Sequence, residues 1–369
     1  MRYVFVSIVL IHGLIHLMGF VRAYFLTEVN KQVLGISEPM GAVWLVIAIL
    51  FIAISASYLK NGKWFYLALF AIFISQLLII ASWRDTKFGT ILNVIILLVA
   101  ISAFANDQFH KMVQKESKRM FQQVSTKNIL IITESDIIHL PDIIQKWVHN
   151  SGMIGKEKIV SVRLKQKGTM RTKPQSKWMS FEAIQYFNLE DPSFVWFSKV
   201  NSKSLIHMVG RDKLKNGEGE MLIKLVSLIP VVNEGNNKQI NSGTMIRFLS
   251  EICWFPSAAL NDYIHWESID ATSAKAIFTY KSISVSGIFK FNQKGNLVSF
   301  EANRYFGGGE DAVLQKWFIH IIDYKTFEGI TIPNKCEVSW LLPKGNFNWL
   351  HLEVVDVEYN NTSLYERNI

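Results

Sequence analysis

Cysteine is almost missing from this chain: among 369 residues there are two, Cys253 and Cys336. So few thiols, so far apart, exclude a disulfide framework and a cysteine zinc site, and both read as buried free thiols that pack like small hydrophobes. The local signatures of familiar chemistry are also missing. There is no G-x-S-x-G elbow, no H-E-x-x-H helix and no phosphate-cradling glycine loop. Gly217 and Gly219 read as a hairpin turn, and the glycine run 307–309 as a connection. Nor is positive charge concentrated in one place. The net charge of +9 divides into +4 over the first 106 residues and +5 over the rest, so nucleic acid is not expected as a partner.

What is present is apolar. Half the residues are hydrophobic, and mean hydropathy is +0.19, which points to one domain in lipid and one in water. Four apolar spans, residues 3–24, 41–59, 64–82 and 89–105, are each about long enough to cross a hydrocarbon core as a helix. Tyr24, Trp44, Tyr58, Trp64 and Trp83 cluster near their ends as interfacial anchors. Without a small-residue cleavage site, and with three spans following it, the first span is not expected to be a signal peptide. With the N-terminus inside, Arg2, Lys60, Lys63, Lys111, Lys115, Lys118 and Arg119 lie inside, against Arg22, Lys31, Arg84 and Lys87 outside. That bias favours a multi-pass membrane protein with its large domain on the cytoplasmic side; a domain on the opposite side is the alternative.

Residues 1–106 are therefore expected to form a four-helix transmembrane domain, 107–133 a basic amphipathic linker, and 134–369 an antiparallel β-rich domain. In the linker, Phe109, Met112, Val113, Met120 and Phe121 oppose Lys111, Lys115, Lys118 and Arg119; it is either a helix lying along anionic headgroups or an ordinary stalk. The stretch 140–152 has the punctuation of a short helix, with Pro141 at its start and Gly152 at its end. From Ile159 on, short β-branched and aromatic runs alternate with QKG, NGEG, NEGNN and PKGN turn signals, the pattern of an antiparallel meander. One echo stands out: SFEAIQYF at 180–187 and SFEANRYF at 299–306, each preceded by QKG, share six of eight residues and read as two equivalent hairpins.

A single helical stretch interrupts the strands, residues 243–260, GTMIRFLSEICWFPSAAL. Arg247 and Glu251 are four apart and share one side of it, either as a substrate-binding pair or as a buried ion pair that fixes the helix. Trp254 and Phe255, before Pro256, offer an aromatic wall. His12 and His16 share a face of the first span, and with the N-terminus inside His16 lies at the depth of Gln76 and Asn93; the two histidines are the only candidates for a metal or proton role, against the reading that these groups hydrogen-bond one another and specify packing. No second helix supplies an axial histidine for haem, and no cofactor is expected. His207, Arg211, Asp212, His265, Asp270 and Glu301 permit acid–base chemistry individually, without a spacing that pairs them.

Leu140, Pro141, Trp147, Ser151, Gly152, Gln166, Gly168, Met170, Arg171, Phe194, Trp196, Gly210, Arg211, Asp212, Arg247, Glu251, Trp254, Pro256, Trp266, Asp270, Arg304 and Tyr305 together resemble a bacterial family classed as a domain of unknown function, over residues 137–359. The strand order with one inserted helix resembles the lipoprotein-carrier half-barrel of the LolA and LppX type. That resemblance implies a curved antiparallel sheet with a helix in its concave, apolar face. The expectation is a membrane four-helix bundle plus an α+β domain that binds a lipid or other amphiphile through Arg247, Glu251, Trp254, Phe255, Arg211, Asp212, Arg304 and Tyr305. Arg247, with Arg211 or Arg304, would meet an anionic headgroup, and the aromatics the tail. Membrane lipids and an amphiphilic small molecule are the expected partners. The rivals are a membrane-bound enzyme using Glu251 and Asp212 on a lipid-like substrate, and a structural or interaction domain without ligand.

Overall fold

A computed structural model describes residues 2–25, 36–60, 62–125, 130–201, 206–307 and 309–366. Lys31 of the charge count and Gly308 of the glycine run lie outside the described residues. The chain divides into two compact units, Met1–Phe109 and His110–Ile369.

In the first unit the apolar runs become helices α1 (Arg2–Phe25), α2 (Glu38–Leu59), α3 (Trp64–Ala81), the single turn α4 (Trp83–Thr86) and α5 (Gly89–Phe121), which continues into the second unit. Four of them, α1, α2, α3 and α5, are long and apolar enough to cross a membrane. Val9, Phe51, Ala68 and Ile96 are buried among the helices, while Leu14, Met18, Phe70, Phe73 and Leu98 are exposed, as an apolar solvent would favour. Small residues let backbones approach: a Cβ on Gly19 would stand 2.5 Å from the Trp44 ring.

The second unit is built on one antiparallel sheet of thirteen strands. The first six are β1 (Ser161–Met170), β2 (Met179–Asn188), β3 (Ser193–Val200), β4 (Met208–Lys215), β5 (Glu218–Leu225) and β6 (Ile229–Gly235). The other seven are β7 (Ile264–Asp270), β8 (Ser273–Tyr280), β9 (Ile283–Phe291), β10 (Leu297–Phe306), β11 (Val313–Phe327), β12 (Ile330–Leu342) and β13 (Gly345–Tyr359). Every strand pairs with its neighbours in sequence except at one seam, where β1 meets β13, so β6 and β7 form the two edges. Tight turns carry the meander. Asn216 and Gly217, at φ 55° and 79°, both adopt the left-handed conformation that a two-residue hairpin loop needs.

The two octapeptides fall in β2 and β10, and each rests on a glycine of the preceding strand. A Cβ on Gly168 would lie 2.7 Å from the Phe181 ring, and one on Gly287 2.2 Å from the Phe300 ring, so each phenylalanine fills the space its glycine leaves. The preceding QKG segments are not equivalent, which corrects the reading of both as turns. Gln293 to Gly295 do turn between β9 and β10, but Gln166 to Gly168 lie inside β1, paired with β2 and β13.

The described residues of this unit also hold the α-helices α6 (Glu134–Ile137), α7 (Asp142–Asn150) and α8 (Lys238–Glu251). α7 buries the Ile143, Ile144, Trp147 and Val148 stripe in the core. The last turns of α5 pack on strands too: His110 stacks on Phe197 at 4.9 Å, Phe121 meets Tyr186 edge-on, and Glu116 pairs with Arg211 and Lys213. On the apolar side of that segment Val113, Met120 and Phe121 are buried.

Candidate functional site

The site is organised by α8, which starts earlier than its apolar pattern suggests. The Asn237 side chain accepts from the Ile240 amide at 2.9 Å and caps the helix, so the polar stretch before Gly243 is helical as well. After Glu251 the chain tightens into two short 3-10 helices, Ile252–Trp254 and Pro256–Leu260. The α8 helix packs against β4, β5 and β6 at one end of the strand order and β8, β9 and β10 at the other.

Arg247 lies at the centre. Its Nε donates to Glu251 at 2.8 Å and its Nη1 to Asp212 of β4 at 2.5 Å, while its guanidinium lies over Phe194 and Trp196, 5.0 and 4.8 Å from the ring centroids. The other oxygen of Glu251 accepts from Gln185 at 2.8 Å. Behind it Gln166 donates to Gln185 at 3.3 Å and itself accepts from the Trp196 indole at 2.8 Å, so a row of side chains from three strands holds the glutamate in place. Burial raises the carboxyls of both Asp212 and Glu251 above their ordinary range. Burial also opposes the charge of Arg247, but Glu251 and Asp212 outweigh it and hold the guanidinium protonated.

Between α8 and the sheet is a cavity of about 720 Å³. Met170, Met179, Met208 and Met221 line it on one side, and Trp317 and Trp340 on the other. Asp212, Arg247, Glu251, Trp254, Arg304 and Tyr305 all border it. Arg304, on β10, sits over Trp317 at 4.8 Å, and burial together with the neighbouring charge of Arg247 lowers its pKa to about 10.

Two of the expected residues stand elsewhere. Arg211 is on the opposite face of β4 from Asp212, because adjacent residues of a strand alternate; it pairs there with Glu116 at 3.2 Å and Glu220 at 2.9 Å. Phe255 is fully buried among Phe187 and Phe248, as core rather than cavity wall. The other acid–base candidates are scattered: Asp270 accepts from Thr272 in a turn, Glu301 pairs with Lys290 and Lys316, and His207 shares a hydrogen bond with Ser227. His265 is exposed. The methionine lining and the glutamine pair behind Glu251 were not foreseen. The alternation of β1, β2 and β4 is the signal that places Met170, Met179 and Met208 on the same face as Asp212.

In the first unit, His12 Nε2 donates to the Asn93 side-chain oxygen at 2.8 Å, and Asn93 donates in turn to Gln76 at 3.0 Å and Ser75 at 2.9 Å. His16 bonds the His12 carbonyl at 3.0 Å. Hydrogen bonding therefore joins His12, rather than His16, to the polar groups of α3 and α5. Among the described residues no group of three or more His, Cys, Asp or Glu stands where it could hold a metal ion.

The profile of a family described as "Family of unknown function (DUF6920)" matches residues 138–359. No curated protein matches the chain. Among solved structures it is similar to a LolA superfamily protein, NE2245 from Nitrosomonas europaea, at 11% identity and TM-score 0.35, over 59% of this chain and 92% of that one. It is likewise similar to a DUF1329 family protein from Desulfovibrio piger, at 9% identity and TM-score 0.35, over 59% and 91% of the two chains. A beta-barrel-like DUF1849 protein from Brucella abortus matches at 9% identity and TM-score 0.23, over 55% of this chain and 99% of that one.

Proposed function

From the premise that this chain belongs to the family of unknown function DUF6920, which it matches over residues 138–359, we propose that its β-domain takes up a lipid or another amphiphile in the cavity between α8 and the sheet. The observation that carries this reading is the cavity itself. Its volume of about 720 Å³ is in the range of small-molecule sites, and its wall is largely apolar with a few converging polar groups. Methionines suit the purpose, since an unbranched thioether adapts to chains of differing shape.

In this reading the sheet is a half-barrel and α8 lies in its concave face. The strand order supports it: β5 and β9 are nine places apart, roughly 43 Å across a flat sheet at ~4.8 Å per strand, yet a helix only ~10 Å wide touches both. A sheet that curls would bring both strands to one helix. The four apolar helices form a bundle that anchors the chain in a bacterial inner membrane, with the β-domain on the cytoplasmic side, as the count of flanking Lys and Arg favours. Against an enzyme acting through Glu251 and Asp212 stands the engagement of both carboxylates: Glu251 accepts on both oxygens, and Asp212 is held by Arg247.

Native mass spectrometry of the full chain, extracted from membranes in mild detergent, tests the binding. Co-purifying lipid is expected, and Met208→Trp, which narrows the cavity four residues along β4 from Asp212, should lower its occupancy. A well-folded chain that carries no lipid and takes none up would overturn the reading in favour of a ligand-free structural domain. A reporter fused after Ile369 that is active only in the periplasm would overturn the cytoplasmic placement.

A further inference from the structure

Building on that cavity, we infer that it selects a ligand with one compact oxyanion at its head, a carboxylate or a phosphate monoester, and that Arg304 receives it. Among the described residues, Arg304 is the cation lining the cavity whose donors are not engaged. Arg247 is held by Asp212 and Glu251. Arg171, at another part of the wall, donates to the carbonyls of Asn348 at 2.7 Å and Pro174 at 2.5 Å. Arg304, by contrast, lies over Trp317 at 4.8 Å and Trp340 at 6.0 Å, and among the described residues no carboxylate or carbonyl accepts from it. A guanidinium presents its N–H groups as a planar fork, and a carboxylate or terminal phosphate matches two of them at once.

The place is built for this head. A Cβ on Gly243 of α8 would stand 3.2 Å from Arg304 Nε, so the missing side chain is what gives the guanidinium room against the helix. Aromatic faces hold its plane while leaving its edge open to the cavity. Asp212, Arg247 and Glu251 together carry one net negative charge, which keeps an anionic head off Arg247 and leaves Arg304 to receive it. The tail of the ligand then lies along the methionine-lined wall.

The test titrates the full chain in detergent with oleate, oleyl phosphate and oleyl alcohol, read by native mass spectrometry. Charge-assisted hydrogen bonds predict that oleate or oleyl phosphate binds at least about tenfold more tightly than the alcohol, and which of the two is preferred tells carboxylate from phosphate. Arg304→Gln should abolish that preference. Gly243→Ala, which crowds the guanidinium without removing it, should weaken the anionic probes alone. Equal binding of the alcohol, or a preference that survives Arg304→Gln, would overturn the inference while the cavity reading stands. If none of the three probes binds, the cavity reading falls with it.

Discussion

Gln185 and Arg304 hold the same position in the two copies of the octapeptide, and both turn to α8. Gln185 donates to Glu251 at 2.8 Å, while Arg304 lies against Gly243, one helical turn before Arg247. The two strands are five places apart in the sheet, so the copies reach the helix from separate stretches of it. Where they match, in Phe181 and Phe300, they cover glycines; where they differ, one copy locks the helix and the other leaves a guanidinium open.

Removing Arg247 strands two buried carboxylates. Arg247→Met should destabilise the β-domain by about 3–5 kcal/mol, the range for breaking a buried ion pair on one side. The triple variant Arg247→Met, Asp212→Leu, Glu251→Leu should recover most of that loss. Melting of the full chain in detergent, followed by circular dichroism, separates the two outcomes.

The seam between β1 and β13 has a pH dependence of its own. Arg163 makes two hydrogen bonds to Glu358, at 2.6 and 2.7 Å, across this pairing. Burial pushes the Glu358 carboxyl up, but Arg163 and Asn361 outweigh it and hold it below its ordinary value. A lowered carboxyl contributes stability above its unfolded value, and that contribution is lost as pH falls through its folded value. Wild type should therefore exceed Glu358→Gln in melting temperature at pH 7, and the gap should close progressively below about pH 4.5. A gap independent of pH would remove the carboxylate from the explanation.

The paired glycines should not be equally sensitive. In Gly287→Ala the new methyl meets the Phe300 ring, which can shift, whereas in Gly168→Ala it also meets the His351 backbone carbonyl at 2.0 Å. Overpacking costs about 1–3 kcal/mol, and the variant facing backbone should lie at the upper end. Chemical denaturation of both variants ranks them.

Within the apolar helices, Asn93 joins α5 to α1 and α3 through His12, Ser75 and Gln76. Asn93→Leu should lower stability by about 0.6–2 kcal/mol, the range of interhelical hydrogen bonds in such surroundings. Unfolding in mixed micelles measures it, and His12→Phe on the Asn93→Leu background should add little.

Local pattern made much of this legible in the sequence. Four apolar runs announced α1, α2, α3 and α5; alternating β-branched and aromatic runs announced the meander; and the i, i+4 spacing announced the Arg247–Glu251 pair. What depends on distant partners was not legible. Asp212 meets Arg247 from 35 positions away, and Arg304 is placed by a sheet whose register no short window contains. The first half of α8 was hidden because Asn237, Gln239 and Ser242 look like loop, although Asn237 is the cap. Grouping Arg211 with Asp212 overlooked what a strand imposes, since neighbours in GRDKLK cannot share a face.

The strand order has a consequence for how the sheet assembles. Read from β7 to β13 and on from β1 to β6, it is one uninterrupted meander, and the seam between β1 and β13 is simply where the polypeptide has been cut and rejoined elsewhere through α8. Every other pairing closes a short loop and can form early, while the seam must wait for two ribbons to find each other across nearly two hundred residues. A circular permutant opened in the turn after β6, with β13 tied to β1 by a short linker, would turn the slowest contact into a local one. It would leave α8 to dock last, as a latch.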